Sequence, residues 1–191
     1  MKHRAVAVVL IGILALILPG TASAARVPLR GGNAFAFFIS YDASGCVETA
    51  VFVLVSLGDR TEVGISVNDS CEGKLLMAAR GSAPLGRRAF TMRRSLETAT
   101  LKTRVTADDA VTGASFRVQV TLTWQGHGAN SQDVDNFHAV SPGFRVDGTY
   151  SGVSRFAEAK GVVAGPKASF TPEPALFAPM MWVSNGEVIL A

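Results

Sequence analysis

The chain has 191 residues, 48% of them hydrophobic and 17% charged, with a formal net charge of +3. That length suits one well-buried core and argues against two domains. Two of the cations, Lys2 and Arg4, sit in an N-terminal leader, so residues 25–191 carry 16 cations against 15 carboxylates, a net of +1. The basic balance is therefore in part a property of the leader.

Lys2, His3 and Arg4 precede an apolar run from Ala5 to Leu18, which Pro19-Gly20 breaks before Ala22-Ser23-Ala24. A charged start, an apolar stretch and a small-residue site in that order predict a secretory signal, residues 1–24, cleaved after Ala24. The apolar run is 14 residues long, whereas crossing a bilayer takes roughly 20. No lipidation Cys follows the site and no later stretch has transmembrane length. The expectation is a secreted, extracytoplasmic domain of residues 25–191 without a transmembrane anchor.

In the first predicted strand Phe35, Phe37, Ile39 and Tyr41 alternate as the apolar set of a half-buried strand. A hairpin follows, with the run Val47 to Leu57 meeting Arg60 to Ser70 across Gly58-Asp59, a dipeptide suited to a two-residue turn. In that register Ala50 faces Val67, Phe52 faces Ile65 and Leu54 faces Val63, which makes one face continuously apolar. Cys46 and Cys71 fall opposite each other on the same face, at a separation a disulfide spans. They lack CxxC spacing and no His lies nearby, so a structural bridge in an oxidising compartment is the expectation.

The same register sets Glu48 opposite Asp69, a carboxylate pair that would suit a hard cation such as calcium or would lie at a solvated rim. Residues 73–96 hold Lys74, Arg80, Arg87, Arg88, Arg93 and Arg94 with no acidic residue. The alternatives there are a polyanion-binding surface built on Arg80, Arg87, Arg88, Arg93 and Arg94, or a solvated edge whose charges deter aggregation. Stacking aromatics are missing apart from Phe90, so nucleic acid is not an expected partner.

Further on, Ala99, Leu101 and Val105 alternate with polar residues, and Phe116, Val118, Val120, Leu122 and Trp124 form the cleanest alternation in the chain. A long loop is predicted after Trp124, carrying His127, Asp133, Asp135 and His138, ligand types that fit zinc without a compact metal spacing. Phe144, Val146 and Tyr150 resume the strand pattern, residues 153–163 add another strand, and Asn185-Gly186 marks the turn of a final hairpin.

The class these elements predict is all-β: an antiparallel β-sandwich of Greek-key or jelly-roll type with one intrachain disulfide, or alternatively a closed β-barrel with or without a ligand cavity. No nucleophile elbow, phosphate-cradling loop or catalytic constellation is present and no cofactor is implied. The run Gly148 to Val163 (GTYSGVSRFAEAKGVV) and Ser169 to Pro174 (SFTPEP) resemble uncharacterised secreted proteins of high-G+C bacteria. The resemblance implies a bacterial exported β-protein and carries no activity with it. The functional expectation is a non-enzymatic extracellular or envelope-associated module that binds a cell-surface polymer or protein, with a metal protein or metal-dependent enzyme built on residues 127–138 as the alternative.

Overall fold

The computed structural model describes residues 25–141, 144–165, 169–170 and 180–190. The predicted leader, residues 1–24, lies outside the described residues. Ten strands account for most of the described chain: β1 (Ala25–Tyr41), β2 (Val47–Ser56), β3 (Arg60–Asp69), β4 (Lys74–Pro84), β5 (Phe90–Met92), β6 (Thr98–Asp109), β7 (Ser115–Ser141), β8 (Phe144–Ala164), β9 (Ser169–Phe170) and β10 (Met180–Leu190). Every pairing is antiparallel and all ten strands belong to one sheet, so the chain is all-β as its alternation requires.

The order across the sheet is β10-β1-β2-β3-β4-β6-β7-β8-β9, with β5 on β6. Because β10 also pairs with β8, the hydrogen bonding returns on itself through β8, β10 and β1. Long strands make this possible by serving different neighbours at their two ends. Residues 25–35 of β1 pair with β10, and residues 34–41 pair with β2.

The sheet wraps one core, and strict alternation chooses its members. Ala34, Ala36 and Phe38 of β1, Val51, Val53 and Val55 of β2, Val63 and Ile65 of β3, and Val118, Val120, Leu122 and Trp124 of β7 all turn inward and are buried. Trp124 is fully buried, and its indole N–H donates to the Phe35 carbonyl at 2.9 Å, which ties β7 to β1 across the interior. Phe90 and Leu96, from the segment around β5, are buried in the same core.

Five expectations change. On β1 the inward residues are Ala34, Ala36 and Phe38, so Phe35, Phe37 and Ile39 belong to the outer side. The β2–β3 register is one residue away from the predicted one: Val51 faces Ile65, Val53 faces Val63 and Ser56 faces Arg60, around a loop of Leu57, Gly58 and Asp59. Leu57 and Gly58 both take positive φ, 53° and 73°, so the turn absorbs one residue more than a two-residue loop. A one-residue slip exchanges the faces of a strand, and β2 is apolar on both, so its pattern does not select a register.

The residues after Trp124 form no loop. They continue β7 to Ser141, paired with β8 and interrupted by one irregularity between His127 and Ser131, where Gly128 has φ 68°. Most described side chains here are exposed, and a backbone ladder forms without the apolar face that would have advertised it. Asn185-Gly186 is likewise inside a strand, with Asn185 opposite Arg30 and Ser151 and Gly186 opposite Leu29 and Tyr150. An Asn-Gly pair makes a hairpin only when its flanks pair with each other, and here they pair with β1 and β8.

The disulfide Cys46–Cys71 is formed, with Cα atoms 5.3 Å apart, inside the usual range. Its route differs from the predicted one. Ser70 is the residue opposite Cys46, donating its backbone N–H at 2.8 Å and its hydroxyl at 2.9 Å to the Cys46 carbonyl, and Cys71 lies one step past the ladder. An intact bridge is consistent with an extracytoplasmic location.

Candidate functional site

The histidine-rich stretch is the first candidate, and the strand pulls its ends apart. His127 faces Phe156 and His138 faces Asp147 on β8. Those partners are nine residues apart, which at a strand rise of about 3.3 Å is about 30 Å. One ion cannot take both imidazoles. Each has a carboxylate beside it instead: His138 Nδ1 bonds Asp147 Oδ1, and His127 Nε2 lies 3.7 Å from Glu158 Oε2. Glu158 also receives Lys160 Nζ at 2.9 Å, and that hydrogen bond is the main reason its carboxyl titrates below the ordinary range. The side chains of Asp133 and Asp135 lie outside the described residues. Among the described residues no three His, Cys, Asp or Glu side chains gather as a metal site would need.

The carboxylate pair beside the disulfide is not a pair either. Glu48 is opposite Asn68 and Asp69 is opposite Val47, so neighbouring positions send the two side chains to opposite faces. Glu48 accepts from the Tyr41 hydroxyl at 3.0 Å, which raises the phenol above its usual range, and Asp69 accepts the N–H groups of Cys71 and Glu72 at 3.0 and 2.9 Å. Asp42 closes the adjoining turn, taking the Val47 N–H at 3.0 Å and the Ser44 hydroxyl at 2.8 Å, and these bonds, the Val47 one foremost, hold it below the ordinary carboxylate range. Asp42 and Asp69 serve turns, and Glu48 a cross-strand pair.

The arginine stretch has a different fate. Arg80 is on β4, where its Nε lies 3.4 Å from Glu62 and its guanidinium sits 5.7 Å from the centre of the Phe52 ring, with Asp108 opposite it on β6. It is committed to neighbours. The other four flank β5, which pairs with β6: Phe90 with Leu101, Thr91 with Thr100, Met92 with Ala99. The turn before β5 holds Arg87 and Arg88 and is fastened to β6 by Lys102 N–H donating to the Ala89 carbonyl at 2.8 Å. After β5 come Arg93 and Arg94, with Arg93 3.4 Å from Glu97.

This pairing joins the arginines to cations far away in sequence. Lys102 and Arg104 on β6 and Arg117 on β7 occupy outward positions and are exposed. The residues directly opposite them are Thr121, Gln119 and Thr106, none of them acidic. Arg117 is diagonal to Arg104 across the β6–β7 ladder, a separation of about 7–8 Å. Thr91 and Thr100 add a row of hydroxyls, their Oγ1 atoms 2.8 Å apart, and Thr123 continues it on β7. Phe90, the lone aromatic of this stretch, points inward and is 9% exposed, so no ring is offered for base stacking.

The result is a hydroxyl- and amide-rich outer face on β5, β6 and β7 on which Lys102, Arg104 and Arg117 outnumber the one exposed acid of β6, Asp108. Lys102, Arg104 and Arg117 escape a reading that looks for runs of charge. The signal for them is cations at outward positions of successive strands.

No protein-family model, curated protein or solved structure matches the chain. The class of protein therefore rests on its own sequence, sheet and site.

Proposed function

We propose that the protein is an exported, non-catalytic module of the bacterial cell envelope or its surroundings, which acts by binding a surface polymer or protein through an outer sheet face. The observation that carries the reading is the contrast between a sheet interior filled by side chains from Ala34 to Met181 and an exterior that collects unopposed cations on β5 to β7. A packed interior leaves recognition to the outside. The leader before Ala25, the disulfide and the resemblance of residues 148–163 to bacterial secreted proteins support export.

The test has two parts. Expression of the whole chain in a bacterial host should deliver to the extracytoplasmic fraction a species whose N-terminus is Ala25. That species should co-sediment with isolated bacterial envelopes at low salt and leave them as salt rises. Retention in the cytoplasm removes the export reading, and failure to co-sediment removes the envelope reading.

A further inference from the structure

We infer that the β5–β6–β7 outer face binds a linear anionic polysaccharide, with Lys102, Arg104 and Arg117 meeting its acidic groups and the threonines and Gln119 between them meeting its hydroxyls. The inference rests on the surface-binding reading above and names its ligand class.

Charge complementarity comes first. Lys102 and Arg104 are two residues apart on β6 and Arg117 is diagonal to Arg104 on β7, so three exposed cations follow one another at steps of about 7–8 Å along one outer face. Arg87 and Arg88 extend the positive field from the turn fastened at Lys102. The nearest acid is Asp108, exposed on β6 at the other diagonal of Arg117, where it accepts the Ser115 hydroxyl at 2.5 Å and lies opposite Arg80; Glu97 and Glu158 are engaged by Arg93 and Lys160. A regular field of this kind suits a repeating anion better than a single small one, because each repeat meets another cation.

What lies between the cations narrows the class. Thr100, Thr121, Thr123 and Gln119 are exposed groups that donate and accept, matching a polymer rich in hydroxyls. A single-stranded nucleic acid would call for exposed rings on which bases stack, and Phe90 is inside. An anionic membrane would call for apolar side chains able to enter it. The exposed large apolar residues are Tyr41, Leu75, Leu76, Val111, Val134, Phe156 and Val162, and none stands on β5, β6 or the 115–125 part of β7.

The experiment measures binding of the exported, oxidised protein to polygalacturonate, dextran sulfate, neutral dextran, polyuridylate RNA and phosphatidylglycerol vesicles in one buffer. Both anionic polysaccharides are expected to bind and neutral dextran is not; which of the two binds tighter distinguishes a carboxylate from a sulfate ligand. The variant Lys102→Gln/Arg104→Gln/Arg117→Gln is expected to lose on the order of tenfold or more in affinity for them, while Arg80→Gln, whose charge Glu62 already meets, changes little.

If the triple variant does not fold, Thr121→Glu tests the same face, with weakened binding as the expected result. Undiminished binding by the folded triple variant, equal binding of neutral dextran, or tighter binding of the RNA or the vesicles overturns the inference. Envelope co-sedimentation that survives the triple variant overturns it too while sparing the wider reading. Polysaccharide binding without envelope binding does the reverse.

Discussion

The outer side of this sheet has two characters. On β6 and the first part of β7 the outward positions are polar, from Thr98, Thr100 and Lys102 to Arg117, Gln119 and Thr121. On β1 and β2 they are Phe35, Phe37 and Ile39, and Ala50, Phe52 and Leu54. The inward positions are apolar in both regions. Alternation therefore announces the facing of β6 and β7 and conceals that of β1 and β2, since a two-fold pattern selects a face only when the other face is polar. Phe52 illustrates how the second region is arranged instead. It lies across Gly64 of β3, where an added Cβ would meet the ring, and carries Arg80 of β4, the strand on the far side of β3.

Interior and exterior positions should separate most sharply by mutation. Trp124→Ala removes a fully buried ring and its bond to Phe35, and is expected to cost about 3–5 kcal/mol. Thr123→Ala, next to it and outward, is expected to cost under about 0.5 kcal/mol. Denaturant unfolding of both variants reads the difference, and similar losses would undo the assignment of β7 faces.

Reduction of Cys46–Cys71, or Cys46→Ser with Cys71→Ser, opens a bridge with a sequence separation of 25. The expected loss is on the order of 3 kcal/mol, visible as a lower thermal midpoint. An unchanged midpoint would mean that the β2–β3 ladder already holds the chain ends together.

Gly81 of β4 packs against β6, and an added Cβ would overlap the Thr106 carbonyl. Gly81→Ala should therefore cost about 1–3 kcal/mol, whereas Gly86→Ala, with open space around it, should be near neutral. Thermal unfolding of the pair tests whether β4 and β6 approach as closely as they do here.

The register of β2 and β3 has its own test. A double-mutant cycle on Val53→Ala and Val63→Ala, directly opposite each other, is expected to show a coupling of about 0.5–1 kcal/mol. The cycle on Leu54→Ala and Val63→Ala should show less, and a larger coupling there would restore the two-residue turn.

The smallest expected effect concerns acid. Asp109 at the end of β6 accepts the Thr112 hydroxyl at 2.6 Å and the N–H groups of Ala78 and Val111 at 3.0 and 3.1 Å. These bonds, that of Thr112 foremost, hold its carboxyl below the ordinary range. A depressed folded value means that the stabilisation is present above the unfolded value of about pH 4 and is lost as pH falls through the folded one. Asp109→Asn should flatten the acid limb of a stability–pH curve and leave its slope above about pH 5 unchanged.

The candidate site was legible in parts. Arg87, Arg88, Arg93 and Arg94 stand out as a run without acids, but the same run includes Arg80, which Glu62 and Phe52 engage. Lys102, Arg104 and Arg117 belong to the surface because β5 pairs with β6 and β6 with β7, and no local run of charge marks them. A loop would bring His127 and His138 into one cluster, and a strand separates them.

Class and staple follow from the sequence alone. Short-range alternation and β-branched content dictate antiparallel strands, and two cysteines without metal spacing dictate their own bridge. The sequence also determines which faces of β6 and β7 are buried, since there one face is polar. Tertiary structure decided the rest: the facing of β1 and β2, where both sides are apolar and only packing against the neighbouring strands chooses; the extension of β7 past Trp124, where the ladder to β8 and not an apolar face makes the strand; and the assembly of cations from three strands into one field, because proximity across a sheet is set by register, which distant residues share only after the sheet has closed.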